Sequence, residues 1–296
     1  MRGHGASKKG ETHMKRVTFN DGNSIPMVGF GVFTIPAGEE TYNATLNAIK
    51  AGYRHIDTAA AYFNEADVGR AARDSGVARD ELFITSKLWL QDYGYEAATK
   101  GIDTSLKNLG MDYMDLYLLH QPYGDVAGAW RALEDAKAAG KIRSIGVSNM
   151  TPKIWNSLVP QFDTMPAVNQ VEFNLFCQQR ELIGILDAAG VKLEAYMPLG
   201  RGNSSMLTNE VVTKLAAKYG KNAGQIILHF ETQEGAIVLP RSTNPKRLAG
   251  NLDIFDFELT DEELNALRAL DTGKGSHDPD ATGVAEMLLS AYKVHD

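Results

Sequence analysis

The stretch GYRHIDTAAAYFNEADVGRAA, residues 52–72, places an acid, a phenol and a helix-opening run of polar residues within one short length of chain. Its apolar-flanked piece 55–59 predicts a buried strand. The alanine-rich piece 58–61 lets the chain turn, and Asn64, Glu65 and Asp67 open a helix. Asp57 is thereby placed at the carboxyl end of a strand, with Tyr62 on the loop just beyond. In a barrel of alternating strands and helices, that end carries the chemistry.

Outward from this unit the same alternation repeats. Short apolar runs recur roughly every ~30 residues with helical segments between them, as repeated βα units require. Strands are predicted over 29–33, 55–59, 82–87, 114–120, 144–149, 167–173, 192–198 and 236–240. Between them Ile102, Leu106 and Leu109 recur at helical spacing, as do Trp130, Leu133 and Ala136. Thr151-Pro152 reads as a helix N-cap followed by proline at the first helical position, and Thr260 with Glu263 as a capping box. Ahead of the barrel, residues 16–19 and 24–28 flank Asn20-Asp21-Gly22-Asn23, whose Asp-Gly predicts a hairpin. The fold class is therefore α/β, a (β/α)8 TIM barrel with a short N-terminal β-hairpin. Residues 14–296 are expected to form a single barrel domain. The polar stretch 1–13, ending in His13, reads as an appended leader before a start at Met14. Residues 273–282 read as a loop, followed by a helical C-terminal segment that frays.

Composition narrows the function classes. With 296 residues and 44% apolar content the chain can bury one sizeable core. A net charge of -7, with acids and bases interleaved, lacks the basic face that nucleic acid needs. The single cysteine, Cys177, excludes an intrachain disulfide and a thiolate zinc site, and fits a reducing compartment. No run of eighteen uncharged apolar residues is present to span a bilayer. A monomeric cytoplasmic protein is expected, acting on a small molecule, with neither nucleic acid nor membrane as partner.

Polar residues close successive predicted strands: Asp57, Lys87, His120, Ser148 with Asn149, Gln170 and Tyr196. Buried polar groups need partners or a ligand, so one mouth of the barrel is a polar bowl. A tyrosine, with an ordinary pKa near ~10, acts as a general acid more readily beside a cation that stabilises its phenolate. Lys87 can supply that charge, Asp57 keeps the lysine protonated, and His120 can orient a carbonyl oxygen. The set protonates an oxygen and offers no nucleophile, which suits a carbonyl reduced by hydride from a cofactor, because no side chain donates hydride. His55-Ile56-Asp57 invites a metal reading, but no second histidine pair follows and Lys87 opposes a cation, so no metal is expected. After the last strand, Leu239-Pro240-Arg241-Ser242-Thr243-Asn244-Pro245 opens a helix whose free amides favour an anion, with Arg241, Ser242 and Arg247 adding donors. No GxGxxG follows the first strand, so a Rossmann-type site is not indicated.

The pieces GYRHIDTAAAY, ITSKLW, MDLYLLHQP, IGVSN, VNQVEF, AYMPLG and LPRSTNPKRLAGN, in that order, make the chain resemble the aldo-keto reductases from about residue 15 to 273. Within that family it is similar to bacterial 2,5-diketogluconate and glyoxal reductases and to prostaglandin F synthase-like members. The resemblance implies an NADPH-dependent reductase of aldehydes or ketones, with Tyr62 as proton donor, Lys87 and Asp57 tuning it, and His120 orienting the substrate. It implies that Ser148, Asn149 and Gln170 hold the nicotinamide carboxamide and that Tyr196 stacks on the ring. Leu199 lies along the cofactor, Arg241, Ser242 and Arg247 grip the 2′-phosphate, and Asn251 lies near the adenine. Departures fall around the pocket and the cofactor loops. Gln121 and Phe33 stand where many members have tryptophan, Met197 where serine follows the stacking tyrosine, Gly250 where glutamate often contacts adenine, and Arg241 where lysine is common. Phe33, Trp89 and Gln121 are accordingly expected to line a substrate pocket of altered width. The alternative class is a nicotinamide-cofactor-binding regulatory subunit with little turnover, a role some family members adopt.

Overall fold

The computed structural model describes residues 14–295, so the leader expected over 1–13 lies outside the described residues. Strands β1 (Arg16–Thr18) and β2 (Ser24–Pro26) form an antiparallel hairpin. The turn between them closes through Phe19 N to Asn23 O at 2.8 Å, with Gly22 at φ 86°. Eight parallel strands follow: β3 (Phe30–Gly31), β4 (His55–Asp57), β5 (Phe83–Leu88), β6 (Met114–Leu119), β7 (Ile142–Ser148), β8 (Val168–Glu172), β9 (Lys192–Tyr196) and β10 (Ile237–Leu239). Each pairs with its sequence neighbour. The ring closes where Val28 bridges Val238, with Gly29 N donating to Val238 O at 2.9 Å and Val238 N to Met27 O at 2.8 Å. The expected strand 29–33 is thus only two residues of regular strand plus this bridge. Thr34 at φ 64° turns the chain off the ladder. Strand β7 starts two residues earlier than expected because Ile142 pairs with Met114.

The connecting helices are α1 (Glu39–Ala51), α2 (Glu65–Asp74), α3 (Tyr95–Leu109), α4 (Val126–Ala138), α5 (Pro152–Leu158), α6 (Arg180–Ala189), α7 (Ser204–Leu207), α8 (Glu210–Tyr219), α9 (Ala223–Gln233), α10 (Pro245–Leu252), α11 (Asp261–Arg268) and α12 (Val284–Ala291). Two predicted caps form as the side chains dictate: Thr151 accepts from Ile154 N, and Thr260 with Glu263 closes a capping box. Asn64 opens α2 as expected. It precedes α2 but makes no cap hydrogen bond, because its buried amide accepts from the Thr58 hydroxyl at 2.7 Å and reaches Thr41.

Period-two alternation divides the strands into two faces. Ile56, Ile84, Tyr117, Leu119, Ile145, Val147, Val171 and Ala195 pack outward with apolar residues of the helices. Inward, Phe83, Leu116, Leu118, Val168 and Ile237 meet Phe19 and Ile25, so the hairpin plugs the amino-terminal mouth with an apolar layer. The polar inward positions lie above that plug, toward the strands' carboxyl ends. Among the described residues no helix is long and apolar enough to cross a membrane.

The tail after α12 is not frayed. Trp89 Nε1 donates to Tyr292 O at 2.9 Å, Val294 N to Gln91 Oε1 at 2.9 Å, and Gln91 Nε2 to His295 O at 2.8 Å, which fastens the tail to the loop after β5.

Two glycines predict opposite stability changes. A Cβ on Gly69 in α2 would lie 1.9 Å from the backbone oxygen of Leu109, where α3 ends, so Gly69→Ala should cost about 2 kcal/mol or more. Gly184 in α6 is exposed and meets nothing within 4 Å, so Gly184→Ala should gain about 0.5 to 1 kcal/mol. Urea midpoints of the two variants check this, and a shift of the same sign in both would contradict the packing described.

Candidate active site

Strand β4 ends on Asp57 and β5 carries Lys87 at its inward position, so their side chains meet inside the barrel. Lys87 Nζ lies 2.6 Å from Asp57 Oδ1, 2.9 Å from Thr58 O and 3.4 Å from the Tyr62 hydroxyl, and the lysine side chain is fully buried. Three acceptors use the ammonium's three N–H bonds. Tyr62 is held by a short 3₁₀ turn, Ala60–Tyr62, directly after the strand. Its place beyond β4 follows from the alanine-rich turn read in the sequence.

Burial alone pulls the Lys87 ammonium downward. The charges of Asp57 and Tyr62 and the bond to Asp57 outweigh it, and the lysine is held above its usual range. Burial pushes the Tyr62 phenol up to about 12; Lys87 opposes that rise and Asp57 adds to it. His120, the residue after β6, is pulled well below the usual imidazole value by burial and then by Lys87, so its ring is neutral. Its Nδ1 is buried without a hydrogen-bond partner, and its ring stands edge-on to Tyr62 at 5.5 Å and to Trp89 at 5.1 Å.

The next strand ends continue the rim. Ser148 Oγ donates to Gln170 O at 2.7 Å. Asn149, in the left-handed region at φ 61°, donates through Nδ2 to His120 O at 3.0 Å and accepts the Tyr196 hydroxyl at 2.7 Å. Gln170 Nε2 donates to Asp57 Oδ2 at 2.9 Å and to Glu194 Oε2 at 2.8 Å. That spends both amide protons and leaves Oε1 as the atom Gln170 has to offer elsewhere. The structure therefore brings Asp57, Tyr62, Lys87, His120, Ser148, Asn149, Gln170 and Tyr196 to one mouth.

A second group lies after β10. Arg241 Nη1 donates to Thr34 Oγ1 at 2.6 Å, and Ser242 Oγ accepts from Asn244 N at 3.1 Å. Asn244 caps α10 by accepting from Lys246 N at 2.9 Å and Arg247 N at 3.4 Å. Arg241, Lys246 and Arg247 are exposed, and among the described residues none is paired with a carboxylate within 4.0 Å. A group of cations without carboxylate partners at one end, and neutral amide and hydroxyl groups beside Asp57, Tyr62, Lys87 and His120 at the other, fit a phosphate-bearing dinucleotide with an uncharged reactive end. Leu199 sits in the loop after β9, half-buried, its oxygen accepting Gly202 N at 2.7 Å. Asn251 is buried in α10, one helical turn beyond Arg247, with its side chain toward the Tyr53 hydroxyl.

The walls above Tyr62 come from distant loops. Phe33 tilts against Tyr62 at 4.9 Å between ring centres, Trp89 is held by Tyr292, and Gln121 is fixed through its backbone to the Tyr93 hydroxyl. Sequence reasoning missed the C-terminal segment's part in this. Tyr123 donates to Pro279 O at 2.7 Å, Ser276 binds Glu172 through N and Oγ, and His277 lies parallel to Tyr196. It also missed Glu194, an inward polar residue below the rim, although the alternation in LEAY signalled it, and it weighed His55 only as a metal ligand.

The chain resembles known proteins along most of its length. Residues 28–272 match the model of the aldo/keto reductase family. The chain is 45% identical over 262 residues to an aldo-keto reductase of Mycolicibacterium smegmatis, covering 88% of this chain and 94% of that protein. It is 44% identical over 255 residues to a glyoxal reductase of Bacillus subtilis, covering 86% and 92%. A Bombyx mori aldo-keto reductase, whose crystal structure is of a complex with NADP, superposes with a TM-score of 0.84 at 36% identity, covering 90% of this chain and 96% of that one. From its barrel, its rim of polar strand ends and these matches, the chain belongs to the aldo/keto reductase family.

Proposed function

We propose that this protein reduces the carbonyl group of an aldehyde or ketone to an alcohol, with NADPH as hydride donor and Tyr62 as proton donor. The observation that carries the reading is Lys87 Nζ, buried and held between Asp57 and the Tyr62 hydroxyl, beside a neutral His120. NADPH supplies the hydride when bound; the Bombyx mori relative was crystallised in complex with NADP.

Every other step belongs to the chain. A carbonyl oxygen placed between Tyr62 and His120 accepts a hydrogen bond from the neutral imidazole. As negative charge develops on that oxygen, Tyr62 transfers its proton and Lys87 stabilises the phenolate left behind. Asp57 keeps the ammonium charged through the cycle. Ser148, Asn149 and the free Oε1 of Gln170 offer hydrogen bonds to a carboxamide, and the Tyr196 ring offers a stacking face. Arg241, Ser242 and Arg247 supply donors for a 2′-phosphate, with Leu199 and Asn251 along the rest of the cofactor. Phe33, Trp89 and Gln121 shape the space for the substrate's remaining groups.

General acid catalysis is typically worth about 10² to 10⁴ in rate. Tyr62→Phe should lose at least the lower factor in kcat while fluorescence titration gives an unchanged Kd for NADPH; full turnover in that variant would remove Tyr62 from the role. Arg241→Ala should weaken NADPH about 10-fold while leaving NADH nearly unaffected, because only the former carries the 2′-phosphate. Equal losses for both cofactors would rule out the phosphate contact.

A further inference from the structure

Glu194 lies in the middle of β9 with its side chain inward and fully buried. Its Oε2 accepts from Gln170 Nε2 at 2.8 Å, its Oε1 has no hydrogen-bond partner, and its nearest ionisable neighbour is His55, whose Nε2 is 3.5 Å away. The groups facing it are few. Strand β4 presents His55 and Asp57, β5 presents Lys87, β8 presents Gln170, and Tyr196 lies two residues along on β9. Strand β10, paired with β9 on the other side, contributes only Ile237, Val238 and Leu239. Arg16 on the hairpin acts on His55 from below.

We propose that Glu194 is a positioning residue for carbonyl reduction: as a neutral carboxyl group it shares the Gln170 amide with Asp57 and leaves Lys87 a single counter-ion, so that the ammonium's charge acts on Tyr62. This rests on the reading of Tyr62 as the proton donor.

Two buried carboxylates beside one ammonium would leave a net negative charge in a dry interior, which is strongly unfavourable. Burial, and then the charge of Asp57, raise Glu194 to about 8, so at neutral pH it keeps its proton. Burial holds His55 down at about 3, and it brings no compensating positive charge. When Glu194 ionises, its charge acts on Lys87, strengthening the lysine's hold on its proton and diluting the positive potential at the phenol. Tyr62 then becomes a weaker acid. The Gln170 amide keeps its orientation in either state, since its two protons face two oxygens that accept.

The test is a pH titration of the intact protein, read in two ways. In infrared difference spectra, the carbonyl band of a protonated carboxyl group should disappear as pH rises through about 8, and that change should be missing from Glu194→Gln. In parallel, wild-type kcat for reduction should fall roughly 3- to 10-fold over the same range, the effect of about one pKa unit on the acid. Glu194→Gln, and Glu194→Leu as a second uncharged variant, should stay flat relative to their own neutral-pH rates, with unchanged Kd for NADPH at either end of the range. An equal alkaline fall in both variants, or a wild-type band that does not titrate, overturns the proposal. A Tyr62→Phe variant that keeps turnover would instead overturn the proton-donor reading and leave the infrared result standing.

Discussion

A lysine with no exposed side-chain surface, placed where the ends of β4 and β5 meet, is the constraint on which the rest of the architecture depends. The ammonium of Lys87 survives in that setting only because Asp57 and Thr58 O face it at 2.6 and 2.9 Å. Removing either charge alone would strand the other in a low-dielectric interior, at a typical cost of about 3 to 5 kcal/mol. The pair also sets the register of its neighbourhood. Asp57 pairs with Thr85 across the β4–β5 ladder, so a slip of one residue would turn Asp57 or Lys87 outward into the apolar layer beneath the helices.

Around that pair the barrel is closed asymmetrically. The hairpin fills the amino-terminal mouth with Phe19 and Ile25, which face Phe83, Leu116 and Leu118 in one apolar cluster. At the other mouth, the loops after β5 and β6 and the last residues of β8 and β9 all contact residues beyond 273, namely Tyr292, Pro279, Ser276 and His277. One end is sealed by hydrophobic burial. The other is bounded by hydrogen bonds to a segment with little buried apolar surface of its own, α12 having no fully buried residue.

How much of this was legible in the chain depended on the range of the interactions involved. The βα alternation, the hairpin, two caps and the polar strand ends are written in local period and composition, and the structure has them. The strand over 29–33 was overestimated because apolar content alone does not reveal that Thr34 leaves the ladder at positive φ. Asn64 was read as a helix opener, and its position is right, but its amide is used by Thr58 and Thr41, partners that only the folded chain brings close. The C-terminal tail was expected to fray because its anchor, Trp89, lies 203 residues away from Tyr292. Glu194 and His55 sat at inward positions of correctly placed strands. Nothing local told that they would face one another below Gln170, since that meeting depends on closure of the whole ring.

The same lysine also acts in opposite ways on two side chains at the rim. Burial takes the charge from His120, and the nearby ammonium depresses it further, so the imidazole has a hydrogen bond to give but no surplus proton. Burial raises the Tyr62 phenol, to about 12 with Lys87 already opposing the rise; without the ammonium 3.4 Å from the hydroxyl the phenolate would cost more still. A positive charge that disfavours one protonated group and favours the deprotonation of another divides the work between them. In the reaction proposed above, the histidine would orient an oxygen and the tyrosine would protonate it, a division that holds only while the lysine's charge is not shared with a second carboxylate.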